Sequence, residues 1–387
     1  MKSLFQLRYI SAGFTAIVVG YTSSIIIVIQ AATASGASNS YIASWLFTLG
    51  VAMGCTSILY SWFLKTPLLM AWSTSGAAML VTAVSGYQLE QIVGAFIVNG
   101  ILIVITGLIK PLNRLLTNIS PQIATAMLAA ILLPICMAAF SPVNDDAVTF
   151  FVMFISFLLA KRYYPTFAML ILLIVSLTLT MINGTFDQSE LSLTLPYPIW
   201  MSAQFDGAAI LNIALPLYII TMLSQNLPGI AMIKSHGYHI NTSPVFIGSG
   251  FINALLAPFG VFSVNLAAIS AAICMNDDVD KDTKQRYKAV IWAGIFYLAA
   301  GVFGATIADI FMILPDSISK ILAGLALFGT LVMCLKTMVL HSEHREAAVL
   351  TFIIASSGVS LFGISAPILG LISGTTYSKL FAVTSKH

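Results

Sequence analysis

The chain is a close succession of apolar stretches, most of them long enough to approach or cross a lipid bilayer. A transmembrane helix needs about 20 predominantly apolar residues, and such stretches recur from residue 8 to residue 384. Only 8% of the 387 residues are charged, against roughly 25% in a soluble domain. The sequence therefore predicts a single membrane-embedded unit over residues 1–387. Its expected partner is the lipid bilayer, and no nucleic acid is expected.

Breaks in the hydropathy pattern divide the chain into fourteen predicted spans. The first seven cover residues 9–33, 41–63, 67–84, 91–109, 120–140, 147–160 and 165–183. The second seven cover residues 208–232, 243–257, 261–275, 287–308, 317–336, 346–361 and 366–384. Residues 1–183 then form a first repeat, 184–207 a connecting loop and 208–387 a second repeat. Because seven is an odd number, the second repeat must be inverted relative to the first in the membrane.

The distribution of charged residues favours this number of spans. Cytoplasmic loops of membrane proteins carry an excess of Lys and Arg. With fourteen crossings and both termini in the cytoplasm, every Lys and Arg except Lys320 falls on the cytoplasmic side. The carboxylates Glu90, Asp206 and Asp309 fall near the outer ends of spans. One span more or fewer would reverse the side of every later loop, so we predict a multi-pass membrane protein with both termini in the cytoplasm.

Two predicted spans are interrupted where a transmembrane helix should continue. Residues 67–84 read PLLMAWSTSGAAMLVTAV, and residues 258–275 read PFGVFSVNLAAISAAICM. Each segment begins with Pro, continues with residues that we expect to be extended, reaches a polar capping residue and then becomes rich in Ala. When the prolines are aligned, Thr74 falls opposite Asn265 at an offset of 191 residues. This offset is about half the chain, as expected for two related repeats.

These interrupted spans predict a pair of half-helices at spans 3 and 10. Backbone polar groups in lipid need partners within the protein, so we expect Leu68–Ser73 and Phe259–Val264 to pair with each other near the middle of the membrane. Half-helices then begin at Thr74 and Asn265. A helix start exposes unbonded N–H groups and carries about half a positive charge, which suits a carboxylate, and Gly76 lets a ligand approach the backbone. The alternative is that both segments only kink continuous helices through small, closely packed residues.

A second polar cluster lies in the sequence LSQNLPG, residues 223–229. Gln225 and Asn226 are costly at membrane depth and are therefore expected to face a cavity or the interior of the bundle. We interpret them as ligand contacts, and the alternative is a hydrogen bond between helices. The spans show neither a nucleophile paired with a base nor a set of metal ligands. The sequence therefore predicts no enzyme, no metal site and no cofactor.

Several segments together resemble the benzoate transporter family of BenE-type benzoate:proton symporters. They are GFTAIVVGYTSS, QAATASGAS, ASWLFTLGVAMG, AWSTSGAAML, LPLYIITMLSQNLPG, NLAAISAAIC and FGATIADIF. The resemblance implies a secondary-active importer of an aromatic carboxylate, benzoate with a proton, within the nucleobase and sulfate transporter fold of seven plus seven inverted spans. In that fold a core domain (spans 1–4 and 8–11) moves against a gate domain (spans 5–7 and 12–14), and the substrate lies between spans 3 and 10.

The resemblance also implies which residues line the substrate site. Carried over by position, they are Ser73, Thr74, Ser75, Gly76, Gln225, Asn226 and Asn265. The family commonly has Pro at the position of Ser75 and His at the position of Phe262. Phe262 is included in the predicted site because its ring can stack on an aromatic substrate. A nucleobase or sulfate-like anion transporter of the same fold and an anion channel are the alternatives, and a homodimer is an open expectation.

Overall fold

A computed structural model describes residues 4–109, 120–184, 195–340 and 344–382. The predicted connecting loop 184–207 and the last predicted span, 366–384, therefore lie partly outside the described residues. The helices are, in chain order, α1 (Leu7–Thr22), α2 (Ile25–Ala34), α3 (Asn39–Leu64), α4 (Thr74–Ala83), α5 (Leu89–Leu108), α6 (Pro121–Ala138), α7 (Ala147–Tyr163), α8 (Ala168–Ile182), α9 (Gly207–Ser235), α10 (Thr242–Leu256), α11 (Ile269–Met275), α12 (Tyr287–Val302), α13 (Gly304–Ile313), α14 (Asp316–Val339), α15 (Arg345–Ser356) and α16 (Ala366–Ala382).

The predicted helical membrane architecture is confirmed in outline. Each of the fourteen predicted spans contains at least part of a helix. Among the described residues, seven helices are long and apolar enough to cross a membrane, or up to nine if each bent pair is one span. The bent pairs are α1 with α2, at 41°, and α12 with α13, at 62°. The count of fourteen crossings stays a prediction.

Two helix pairs bring their backbones into direct contact at glycines. In the pair α3 and α12, a Cβ atom added to Gly50 would lie 2.5 Å from Cα of Gly301. In the pair α5 and α10, a Cβ atom added to Gly100 would lie 2.8 Å from the carbonyl oxygen of Gly250. Close packing of this kind is a main source of helix association in lipid, where burial of apolar surface supplies little driving force.

The two interrupted segments pair as a short antiparallel ribbon, formed by β1 (Met70–Trp72) and β2 (Val264–Leu266). The paired residues are Met70 with Leu266, Ala71 with Asn265 and Trp72 with Val264. One further backbone bond extends the ribbon at each end, from Ser73 N–H to Ser263 O at 3.1 Å and from Ala267 N–H to Leu69 O at 2.9 Å. The predicted pairing of the two segments is confirmed.

The start of the second half-helix differs from the prediction. The first half-helix, α4, begins at Thr74 as expected. The second, α11, begins at Ile269 and not at Asn265. Asn265 lies instead within the β ladder, and the strand occupies Val264–Leu266 because Gly260, with a φ of +98°, ends a short turn over residues 257–259. The predicted extended segment Phe259–Val264 was therefore placed too early in the chain.

Candidate functional site

The start of α4 lies in the interior of the protein with two backbone donors unused. Ser73 caps the helix, since its Oγ accepts the N–H of Gly76 at 3.0 Å and its carbonyl oxygen accepts the N–H of Ala77 at 2.8 Å. The N–H groups of Thr74 and Ser75 have no hydrogen-bond partner within the part of the chain that the structure describes. Ser73 and Ser75 are buried, while Thr74 is half-buried. This helix start therefore offers two unpaired donors and partial positive charge.

Gly76 has a packing role at the same helix start. A Cβ atom at this position would lie 2.7 Å from Cδ1 of Leu217 in α9. The absence of a side chain at Gly76 therefore lets α9 pack directly against the first turn of α4. Leu217 is therefore the group that lies close to the backbone at Gly76 in this structure. Approach of a ligand to the same backbone stays a prediction.

Helix α3 satisfies the outer edge of β1. Ser57 Oγ accepts the N–H of Met70 at 2.9 Å, and Ser61 Oγ accepts the N–H of Leu68 at 3.1 Å. Both serines have no exposed surface. An unpaired strand edge inside a membrane protein leaves costly polar groups, so these hydroxyl groups hold the ribbon against α3.

Helix α10 satisfies the edge of β2 in a corresponding way. The side chain of Asn253 accepts the N–H of Val264 at 2.8 Å and donates to its carbonyl oxygen at 3.1 Å. Asn99 in α5 donates to the carbonyl oxygen of Phe262 at 2.9 Å. The sequence contained a signal for Asn253 and Asn99, because each is an amide surrounded by apolar residues within a helix, but both were missed. Ser57 carried no such signal, since small hydroxyl residues are common in membrane helices.

Asn226 and Asn265 lie in contact and join α9 to the ribbon. Asn226 Nδ2 donates to Asn265 Oδ1 at 3.0 Å, and Asn226 Oδ1 accepts the N–H of Leu266 at 3.2 Å. Asn265 Nδ2 donates to Ser263 Oγ at 2.6 Å, which also hydrogen bonds to Thr221 Oγ1 at 3.1 Å. Asn226 is therefore bonded within the protein, as in the alternative that the sequence left open, but its partner is a strand and not a second helix. Contact of either amide with a ligand stays a prediction.

Helix α9 contains two π-helical segments, Ile210–Ala214 and Met222–Asn226. Such wide turns are frequent at functional sites, and the second one contains both predicted polar residues of this helix. Gln225 is half-buried, and its side chain has no hydrogen bond to any described residue. It is therefore available to a ligand, whereas Asn226 is occupied by the ribbon.

Phe262 lies in a packed aromatic cluster. Its ring has no exposed surface and lies 6.2 Å, between centroids, from Trp45 and the same distance from Phe96. Because these rings enclose it, Phe262 contacts protein in this structure. Stacking on a substrate stays a prediction.

A cavity of about 410 Å³ lies between α6 and α9. The sequence gave no indication of it, because its walls come from helices separated by about 100 residues. Met127 and Leu128 line it from α6, and Leu223 and Leu227 line it from α9. Its wall also includes Ser224, whose Oγ is buried and has no hydrogen-bond partner among the described residues.

An apolar helical chain whose interior contains paired strands followed by half-helices has the fold of a membrane transporter. The transmembrane domain of the cyanobacterium bicarbonate transporter BicA shares this fold, with a TM-score of 0.57 and 13% sequence identity over 95% of this chain and 97% of that one. The sequence profile of the BenE family, described as benzoate membrane transport protein, matches residues 3–380. The chain belongs to this family.

Two curated relatives match over almost their whole length. Inner membrane protein YdcO of Escherichia coli (strain K12) is 38% identical over 363 residues, which cover 94% of this chain and 93% of the relative. The benzoate membrane transport protein of Acinetobacter baylyi (strain ATCC 33305 / BD413 / ADP1) is 30% identical over 374 residues, which cover 97% and 95%. These matches confirm the resemblance found in the sequence.

Proposed function

We propose that this protein is a secondary-active importer of an aromatic carboxylate, benzoate before others, which works by alternating access with proton symport. The observation that carries the proposal is the start of α4, where the N–H groups of Thr74 and Ser75 are unpaired in the interior. A carboxylate accepts such donors without a buried Lys or Arg. Membership of the benzoate transport family and 30% identity to a benzoate membrane transport protein support the choice of substrate.

The proposed architecture is two inverted repeats of seven spans, residues 1–183 and 208–387, with a core of spans 1–4 and 8–11 and a gate of spans 5–7 and 12–14. The glycine contacts support the repeat. The pair α3 and α12 joins predicted spans 2 and 11, and the pair α5 and α10 joins spans 4 and 9. A two-fold axis that exchanges the repeats converts one pair into the other. The same exchange relates Ser57 on one ribbon edge to Asn253 on the other.

Substrate binding uses the donors at α4 together with Gln225. The half-buried hydroxyl group of Thr74 adds a third donor at the helix start, and Gln225 is the predicted site residue of α9 whose amide is unoccupied by protein. Ser73, Asn226 and Asn265 hold the ribbon and the helix start in position. The site therefore combines fixed backbone donors with two adaptable side chains.

The proposed coupling is the symport of one proton with one carboxylate anion, which moves no net charge. The pH gradient then drives uptake, and the membrane potential contributes little. The predicted site residues are hydroxyl groups, amides, a glycine and a phenylalanine, none of which ionises near neutral pH. We therefore propose that the proton travels on the substrate carboxylate or through a residue outside this set.

The proposed location is the inner membrane, with both termini in the cytoplasm and a homodimer as the proposed assembly. The relative from Escherichia coli is described as an inner membrane protein, and the Lys and Arg distribution supports the orientation.

Uptake by purified protein in liposomes tests the proposal. Labelled benzoate should enter saturably, accumulate when the outside is more acidic and compete with unlabelled benzoate but not with uracil, sulfate or bicarbonate. If excess unlabelled benzoate leaves the uptake of labelled substrate unchanged, an aromatic carboxylate is rejected as the substrate, and a nucleobase or inorganic-anion transporter of the same fold is favoured. Benzoate flux that never accumulates against its gradient indicates a channel, and accumulation that survives a protonophore rejects proton symport.

A substitution at the helix start tests the binding site. Thr74→Pro removes one unpaired N–H, and Pro is favoured at the first position of a helix. The preceding residue, Ser73, already has the extended conformation that Pro requires, with φ of −81° and ψ of 102°. We expect a higher KM for benzoate in a folded protein. The matched control is Asn39→Pro, at the first position of α3, which should leave the KM for benzoate unchanged. An unchanged KM in Thr74→Pro would reject the proposed site.

A further inference from the structure

We propose that the cavity between α6 and α9 receives the aromatic ring of the transported carboxylate and sets the size of ring that is accepted. The proposal rests on the proposed function and adds to it a second part of the site, with its own residues. The site residues that the family resemblance implies do not include Met127, Leu128, Leu223 or Ser224.

The size and walls of the cavity fit a single ring. An apolar cavity of roughly 150 Å³ is enough to hold benzene, and small-molecule pockets have volumes of about 300 to 1,000 Å³. The volume of about 410 Å³ therefore accommodates a ring and leaves room for a substituent. Met127 and Leu128 are almost fully buried, and with Leu223 and Leu227 they provide aliphatic and thioether surface. Such surface suits an uncharged ring and opposes a hydrated inorganic anion.

The cavity lies next to the proposed carboxylate donors. Leu217 in α9 contacts the position of Gly76, in the first turn of α4. Ile220, three residues later on the same helix, lines the cavity. Residues three apart share one helix face and are separated by about 4.5 Å along the axis. Leu217, beside the first turn of α4, and Ile220, in the cavity wall, are thus about 4.5 Å apart along α9, and a ring attached directly to a carboxylate spans a distance of this order.

Ser224 provides a polar group in this apolar wall. A serine in a membrane helix commonly donates to a carbonyl oxygen one turn earlier, but the buried Oγ of Ser224 makes no hydrogen bond to any described residue. It lies in the π-helical segment Met222–Asn226. Within that segment Asn226 bonds to the ribbon while Ser224 lines the cavity. The π-helical turn thus directs one polar side chain to the ribbon and another to the cavity. A buried hydroxyl group without a protein partner is expected to hydrogen bond to a ligand or to water.

Substitutions that change the volume of the cavity test the proposal. Leu223→Trp fills it, and we expect the KM for benzoate to rise by about tenfold or more. Leu223→Ala enlarges it, and we expect the preference for 2-naphthoate over benzoate to rise by about tenfold. The control is Met137→Trp, because Met137 lies on α6, the opposite wall of the cavity, but is 63% exposed and does not line the cavity. All rates are compared at equal amounts of monodisperse protein.

Cysteine labelling tests occupancy without requiring transport. Ser224→Cys places a thiol in the cavity wall, and Ser235→Cys, at the exposed end of α9 and outside the predicted span, serves as a separate reference variant. Benzoate should slow the reaction of a small maleimide at position 224 several-fold, acetate should not, and neither should change the reaction at position 235.

The two proposals fail in different ways. If the wild-type protein shows no uptake of any aromatic carboxylate, the proposed function and this inference both fall. If benzoate is taken up, but the Leu223 variants keep the wild-type KM and preference and benzoate leaves labelling at position 224 unchanged, this inference alone is overturned.

Discussion

The serine that holds the first strand of the ribbon allows a sharp test of how the fold is maintained. Ser57 has no exposed surface, and its Oγ accepts the N–H of Met70 at 2.9 Å. Ser57→Ala removes this acceptor with little change in volume. The N–H of Met70 then stays buried without a partner, because it faces α3 and not the paired strand.

The expected loss follows from the cost of one unsatisfied buried donor. That cost is about 1 to 3 kcal/mol, and the lower half of the range is expected because hydrogen bonds within membrane proteins average about 0.6 kcal/mol. Thr56 supplies a matched control on the same helix. Its hydroxyl group donates to the carbonyl oxygen of Ala52 at 2.6 Å, which keeps its backbone helix bond when the hydroxyl group is removed. Thr56→Val should therefore cost less than about 0.6 kcal/mol.

Reversible unfolding in mixed micelles, followed by tryptophan fluorescence, measures both free energies. Ser57→Ala should lower the free energy of unfolding by about 1 kcal/mol more than Thr56→Val, which corresponds to roughly a fivefold change in the unfolding equilibrium. Benzoate uptake should fall as well, since the ribbon positions the start of α4. Equal free energies for the two variants would show that the bond between α3 and β1 does not stabilise the ribbon.

Three further predictions concern helix contacts, capping and pH. Gly100→Ala should reduce the amount of folded protein, because its Cβ would lie 2.5 Å from a backbone nitrogen of α10, whereas Gly329→Ala, which meets nothing within 4 Å, should not; size-exclusion chromatography compares them. Ser73→Ala should cost about 1 kcal/mol and raise the KM for benzoate, while Ser38→Ala, which uncaps α3, should change stability alone. Asp146 caps α7, and hydrogen bonds from the side chain and backbone of the threonine in the first turn hold the pKa of its carboxyl group below the ordinary 3.8. The stability that this carboxylate contributes is therefore present above about pH 4 and is lost as the pH falls through the lowered pKa. The thermal unfolding temperature of Asp146→Asn should depend less on pH in this range than that of the wild-type protein. An equal dependence in the two proteins would contradict the cap.

The successful predictions depended on local signals. Pro67, the apolar stretch after it and the polar residues that follow identified Thr74 as the start of α4, because capping chemistry acts within one turn. The structure shows that the capping residue itself is Ser73. The pairing of the interrupted segments followed from the need to satisfy extended backbone in lipid. The start of α11 was misplaced by four residues, because Asn265 was interpreted as a cap when its side chain instead bonds to Asn226 and Ser263. A polar residue before an Ala-rich stretch does not reveal whether its partner is its own helix or a distant one.

Hydropathy and capping residues in the sequence were sufficient to identify a membrane protein and its interrupted spans, because these features depend on neighbouring residues and on the solvent. The family followed from the resemblance of several segments to known members. The tertiary structure decided which polar group satisfies which. Ser57 and Asn253 hold the two ribbon edges, and Asn226 is bonded to protein. Gln225 and the N–H groups of Thr74 and Ser75 have no partner among the residues that the structure describes, and a cavity opens between α6 and α9. These outcomes depend on contacts between residues far apart in the chain, and such contacts are set by the packing of whole helices.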